Sequence, residues 1–361
     1  MLSSKSPLCP AACLRLMLLA ALALALNCVS FAQTTVATGS IVGTVTDATG
    51  AVLEGAKVTI TNVDTNQAIN LTSNSSGAYN SGALAPGSYK VQVSRKGFST
   101  SSQTVVVQVG NTATANAALQ VGQESTVVEV QGTALSVNTE QAEVQGVLTS
   151  SQIENLPVNG RNFLDLAQLE PGVQIQDGQN FDPTKAGYSS ISFGGRFGRT
   201  ARINVDGVDV SDETVGTTTQ DIPASGIDQF QLGQSSLDLS NDLTSSGAVN
   251  VTTKSGTNQY HGEAFGLFRD RSVGGAATPG GGHLPFQRSQ YGGNLGGAII
   301  KDKLFFFADG ERVKQDSFAP VLTAAPFDAL TGGFSVPFRD DELLGRLDYN
   351  LGHNARAFYR F

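Results

Sequence analysis

The stretch VDGVDVSDE, residues 205–213, sets Asp206, Asp209, Asp212 and Glu213 in one short run. Carboxylates at that density could hold Ca²⁺, but the spacing is not that of an EF-hand loop, and a solvated turn is the default reading. The three histidines, His261, His283 and His353, show no metal-ligand spacing with one another. No G-x-S-x-G elbow occurs, and the GGG at 280–282 lacks the Lys-Ser/Thr of a phosphate loop. The remaining carboxylates are too scattered to nominate an acid/base pair. The residues therefore nominate no catalytic group, no metal site and no cofactor, and the chain reads as something other than an enzyme.

The surrounding chain must explain what these residues serve. Of 361 residues only 15% are charged, 41 are Gly and none is Trp. That composition favours strands over a helical bundle. The formal charge of −8, with no basic stripe, argues against nucleic acid as a partner. Residues 1–32 read as a signal peptide. Lys5 and Arg15 precede or flank the apolar run LMLLAALALAL, and Ser30-Phe31-Ala32 offers small residues for cleavage after Ala32. Cleavage leaves 21 basic against 31 acidic residues, a net −10. All three cysteines, Cys9, Cys13 and Cys28, lie in this leader, so the mature chain is expected to carry no thiol chemistry. Cys28 as a lipoprotein cysteine is the alternative, although Asn27 before it is not the small residue such sites prefer. No later segment has the ~20 apolar residues of a membrane helix. An exported chain of this kind is either soluble outside the cytoplasm or inserted as a β-barrel.

Residues 33–121 alternate at period two. Ile41, Gly43 and Val45 form one face, Ala56, Val58 and Ile60 another, and Tyr89, Val91 and Val93 a third. Turn signals lie between them at 47–50 and at Pro86-Gly87, and a further strand is read at 103–109. Short strands at this spacing predict an antiparallel β-sandwich. The pattern at Gly43, Val45, Asp47, Gly50, Gly55, Ala56 and Val58, then Gly77, Tyr79, Leu84, Pro86, Gly87, Tyr89, Gly97 and Phe98, resembles the carboxypeptidase regulatory-like domain. The resemblance implies a transthyretin-like or carbohydrate-binding-like fold and no particular ligand. Tyr79 and Tyr89 are read as packing residues, with sugar stacking as the alternative.

Residues 122–246 change style. Thr149, Ser150 or Ser151 caps a short helix through Ile153 that ends before Pro157, and Asn162 caps a second carrying Phe163, Leu164, Leu166 and Leu169. QIENLPVNGRNFLDLAQLEPGV, with Leu156, Pro157, Asn159, Gly160 and Arg161, resembles the plug domain of TonB-dependent outer-membrane receptors of the Oar-like group. ARINVDGVDVSD, with Asp206 and Gly207, resembles a second plug motif, and SGIDQFQLGQSSLDLSNDLTSSGAVNVTTKSGTNQYHGEAF the passage from plug to barrel. The resemblance implies a short extended box that pairs with a periplasmic energy-coupling protein of the TonB type. Thr126, Val127, Val128, Glu129 and Val130 are the candidate box, because strand addition tolerates almost any β-prone sequence. An ordinary linker or plug strand is the competing reading. Arg161 either pairs with acids on the barrel wall, senses substrate, or holds a turn with its fork of donors.

Residues 247–361 read as the first strands of a membrane barrel. Arg346, Asp348 and Asn350 alternate with Leu347, Tyr349 and Leu351, polar inward and apolar outward. ARAFYRF repeats this less cleanly, and KLFFFADGER puts Phe305, Phe306 and Phe307 on both faces, as at an aromatic girdle. Residues 272–286 read as a loop. About six strands fit after Val249, whereas a closed barrel needs at least ~8. The barrel is therefore expected to be incomplete, the chain resembling the N-terminal part of a longer receptor. Tyr359 and Phe361 imitate the terminal aromatics that mark the end of many barrels, an imitation the strand count makes coincidental.

The expected fold is mainly β: an N-terminal β-sandwich, an α+β plug domain and an incomplete outer-membrane β-barrel. The resemblance implies a receptor in outer-membrane lipid that binds an extracellular ligand and imports it through periplasmic coupling. The ligand is unknown, with a carbohydrate as one candidate. The alternative is an exported module whose sandwich binds a glycan or surface polymer.

Overall fold

The computed structural model describes residues 37–122, 127–130, 145–156, 160–182, 184–196, 198–234, 244, 246–274, 282–352 and 355–361. All fall in one compact unit, Val36–Phe361. The signal-peptide reading, the three cysteines, Thr126, Pro157, Asn159 and His353 lie outside the described residues.

The sandwich comprises β1 (Ser40–Asp47), β2 (Lys57–Asn62), β3 (Ala68–Thr72), β4 (Ala78–Asn80), β5 (Gly87–Ser94), β6 (Thr100–Val107), β7 (Thr112–Thr114) and β8 (Ala117–Leu119). A short strand, β9 (Val127–Val130), follows. One sheet runs β3-β2-β5-β6-β9. The other centres on β1, flanked by β4, β7 and β8. The period-two faces are buried as read: Ile41, Val45, Val58, Ile60 and Val91 are fully inaccessible. The Asp47 carboxylate accepts the amides of Thr49 and Ala51 and so closes the turn after β1. The purely antiparallel expectation is corrected. β1 pairs parallel with β7 and β8, and β6 pairs parallel with β9. Gly43 lets the first of these close up: a Cβ there would strike the Ala115 carbonyl. Tyr79 and Tyr89 are 5% exposed, their hydroxyls donating to the carbonyls of Ala115 and Ala85, which is the packing reading.

The middle segment holds β10 (Gln145–Thr149), α1 (Ser150–Asn155), β11 (Val173–Asp177), β12 (Ser189–Phe193), β13 (Arg202–Val205), β14 (Val208–Asp209), β15 (Ser211–Asp212), β16 (Thr217–Thr218), β17 (Ile227–Gly233) and β18 (Ala248–Thr253). Its main sheet is ordered β10-β17-β18-β13-β14. Thr149 and Gln152 form a capping box at the start of α1. The second predicted helix is a 3-10 helix, Phe163–Leu169, with the Asn162 side chain accepting from Leu164 N. Phe163, Leu164 and Leu166 pack with Ile191, Phe230 and Val249 in one core. AVNVTT, grouped by the sequence with the barrel strands, completes this sheet instead. Every residue of β18 is buried, as a strand covered on both faces requires.

Long strands follow: β19 (His261–Asp270), then after the short helix α2 (Arg271–Gly274) β20 (Phe286–Ile300), β21 (Leu304–Val321), β22 (Gly332–Ser335), β23 (Phe338–Asn350) and β24 (Arg356–Arg360). They form a meander β19-β20-β21-β23-β24, with β22 on β21, and among the described residues it does not close on itself. Phe268, Tyr291, Leu295, Leu343, Leu347 and Tyr349 are exposed on one face. Gln290, Asp309, Glu311, Arg346, Asp348 and Asn350 are buried on the other, against the middle segment. This is the apolar-out, polar-in rule of a membrane strand. The girdle reading of the three phenylalanines is corrected. Phe305 and Phe307 are 1% exposed and face inward, leaving Phe306 beside Tyr260. Gly256 lies in the passage between the two parts, where a Cβ would meet the Phe306 and Gly297 carbonyl oxygens. Among the described residues no helix is long and apolar enough to cross a membrane.

Candidate functional site

Two ends of the meander differ. β20 and β21 are joined by the tight turn at 301–303, and β23 and β24 by 351–355, whereas 271–285 and 322–337 are long connections. Short turns mark the periplasmic end of such sheets and long loops the outer end. The sandwich touches the short-turn end: Asn66 Nδ2 donates to Asp302 Oδ1 at 3.0 Å, and Asn258 N to Asp64 O at 3.0 Å.

The DG turn of the second plug motif is the best-held point between the middle segment and the wall. Asp206 and Gly207 both take positive φ, +50° and +80°, which turns the chain sharply after β13 and aims the carboxylate at the wall. Asp206 accepts from Thr253 N at 2.9 Å, Thr253 Oγ1 at 2.7 Å and Arg346 Nη1 at 3.0 Å, and forms an ion pair with Arg360 Nε at 3.3 Å. Arg346 forks onto Asp348 at 3.0 and 3.1 Å, and Arg356 reaches the same carboxylate at 2.7 Å. The network lies almost wholly out of water. The Ca²⁺ reading of residues 206–213 is thereby answered by cations of the chain itself. Asp209 and Glu213 pair with Arg202, and Asp212 with Lys185.

The first plug motif docks higher on the wall. Arg161 takes a left-handed φ of +59°, donates to Glu311 Oε2 at 3.2 Å and lies 4.1 Å over the Phe265 ring. The Gly160 carbonyl accepts from Arg288 and Gln290 of β20. Beside it opens a cavity of about 450 Å³ between plug and wall, lined among others by Asp165, Tyr188, Asp221, Arg288, Asp340 and Glu342. Sequence reading missed these acids because three separate segments bring them together. Leu156 ends α1, and the described part of the candidate box, Val127–Val130, pairs along Thr100 to Gln103 of β6.

Burial of Asp228 on β17 pushes its carboxyl up to about 6, against the pull of Lys254 and Arg346. A folded-state value above the unfolded 3.8 means the folded chain holds this proton longer. The resulting penalty is absent below about pH 4, grows between pH 4 and 6, and is complete above. Asp228→Asn is expected to raise stability above pH 6 by on the order of 1–3 kcal/mol and to leave it unchanged near pH 4. Urea unfolding at the two pH values checks this.

Comparison with known proteins agrees with this architecture. The carboxypeptidase regulatory-like domain profile matches residues 40–120, and an outer membrane beta barrel domain profile matches residues 252–339. The TonB-dependent transporter Oar of Myxococcus xanthus is 24% identical over 353 residues, covering 91% of this chain. These matches support a TonB-dependent receptor. The chain spans 31% of that relative's length. Solved structures that resemble this chain include the siderophore receptor PirA from Acinetobacter baumannii (TM-score 0.45, 20% identity, 60% of this chain and 30% of that one). The outer membrane transporter YddB from Escherichia coli is similar at TM-score 0.45 and 15% identity, over 58% of this chain and 31% of that one. The outer membrane beta barrel domain match and the Oar relative place the chain in the outer membrane, and that relative is a transporter.

Proposed function

We propose that this chain supplies the stopper and the coupling strand of an importer: a ligand binds from the outer side, and the plug is moved by a periplasmic energy-coupling protein. The observation that carries the reading is the plug sheet packed on the polar face of the wall and held there by the Asp206–Arg346 network. Separating the pair would leave each charge without its buried partner, which is costly, and this supports a passage that needs work from outside. The cavity beside Gly160, at the outer end of the wall, is the candidate ligand seat, and no single substrate is implied by its lining.

Thr126 to Val130 is the proposed coupling strand. Its described part already serves as the edge of the sandwich sheet. Pairing with an energy-coupling protein therefore requires it to leave β6 or to offer its other edge. Val128→Pro removes a backbone donor and the strand's regularity. The variant is expected to lose capture by the periplasmic domain of an energy-coupling protein, while wild type is retained. Equal capture of both would remove residues 126–130 from this role.

A further inference from the structure

The outer half of the wall carries a second concentration of charge, and here carboxylates outnumber cations. The β21–β23 register sets Glu311 directly opposite Glu342, and Val313 opposite Asp340. Directly opposed like charges weaken a strand pair. The plug adds Asp221 from the segment after β16. One carboxylate oxygen each of Asp221, Asp340 and Glu342 lies within 4.8 Å of the others.

Donors within the chain answer only part of this charge. Asp221 Oδ2 accepts from Asn162 Nδ2 at 2.8 Å, and Oδ1 from Ile222 N at 3.0 Å. Arg161 meets Glu311 through Oε2 alone. Glu311 Oε1 has no hydrogen-bond partner although its side chain is 2% exposed. That oxygen belongs to a side chain facing Glu342 on the plug side of the sheet, and its charge acts on both Asp221 and Glu342. Asp309 Oδ1, one position further along the same face, is unpartnered too. Arg288 lines the cavity but directs Nη2 to the Gly160 carbonyl. Burial, then the charges of Asp340, Asp165 and Glu311, pushes the Asp221 carboxyl up.

We propose that Asp221, Asp340 and Glu342, with Glu311 behind them, bind a hard divalent cation of the calcium class, joining plug to wall. The donor set is all oxygen and anionic, which selects Ca²⁺ over softer metals. The adjoining cavity leaves room for the waters that complete a six- to eight-fold shell. The proposal rests on the plug-against-wall geometry and is independent of what the receptor imports.

The test uses the whole chain in detergent micelles after chelation. Terbium is the probe, because Tyr188 lines the cavity and the chain has no tryptophan to compete for excitation. Saturable Tyr-sensitised emission is expected, displaced by Ca²⁺ at lower concentration than by Mg²⁺. Asp221→Asn and Glu342→Gln should each weaken it about tenfold or more, whereas Asp209→Asn, paired with Arg202 elsewhere, should not. Thermal unfolding gives a second reading of opposite sign. Ca²⁺ raises the wild-type midpoint and leaves Glu342→Gln unmoved, while without metal Glu342→Gln melts above wild type because a repulsion is gone. Emission indifferent to both cluster substitutions, or a midpoint indifferent to Ca²⁺, overturns the proposal.

Discussion

Arg346→Met costs the folded chain about 3–5 kcal/mol, the usual result of removing one partner from a buried ion pair. The loss follows from what the guanidinium serves at once. It donates two bonds to Asp348, one to Asp206, and two to Thr253 through its carbonyl and hydroxyl. It also stacks 4.6 Å over the Phe358 ring. Without it Asp206 keeps Arg360, and Asp348 keeps Arg356. Each is then a buried carboxylate with less than its former compensation. Arg346→Lys recovers only part, since a single ammonium cannot span both carboxylates. Removing the charges together, as in an Arg346→Met and Asp206→Leu pair, costs less than the sum of the single changes. A urea double-mutant cycle measures the coupling. Additive costs would mean that the two side chains do not act on each other.

Phe163→Ala produces a loss of similar size, about 3–5 kcal/mol, by a different route. The ring is fully buried in the plug core with Leu164, Leu166 and Phe230. The sandwich has a separate core around Ile41, Ile60 and Val91. Hydrogen exchange should therefore accelerate at β17 and β18 and stay unchanged at β2 and β5. Acceleration in both places would show that the two cores unfold as one.

What could be read from the sequence was what the chain encodes locally. The alternation of Arg346, Asp348 and Asn350 against Leu347 and Tyr349 gave the facing of β23, because period two is a property of consecutive residues. The cap at Asn162 was legible for the same reason, and Thr149 was one of three caps open for the first helix, but the Thr149–Gln152 box and the 3-10 winding of Phe163–Leu169 were not read. Pairings between distant segments left no such trace. The parallel docking of β7 and β8 on β1 and the membership of β18 in the plug sheet depend on neighbours far along the chain. The inward Phe305 and Phe307 could not be told from the outward Phe306, because all three are apolar. The site was legible only where a motif marked it. Asp206 was singled out, but its partners on β18, β23 and β24 were not. Asp221, Asp340 and Glu342 escaped notice because a loop and a strand more than a hundred residues apart meet only once the plug is seated.

The composition of the seam also bears on how the plug can move. Apart from a few apolar side chains such as Phe305 and Phe307, the wall meets it with amides, carboxylates and guanidinium groups. Water can take over each of those bonds as it breaks, so sliding the plug exposes little surface that water rejects. Resistance then comes from discrete fastenings rather than from contact area, as in a lubricated bearing held by pins. A pull at one end loads the pins in turn, and the largest force is set by how many break together. Tension on the plug should therefore register as separate small steps rather than as one rupture.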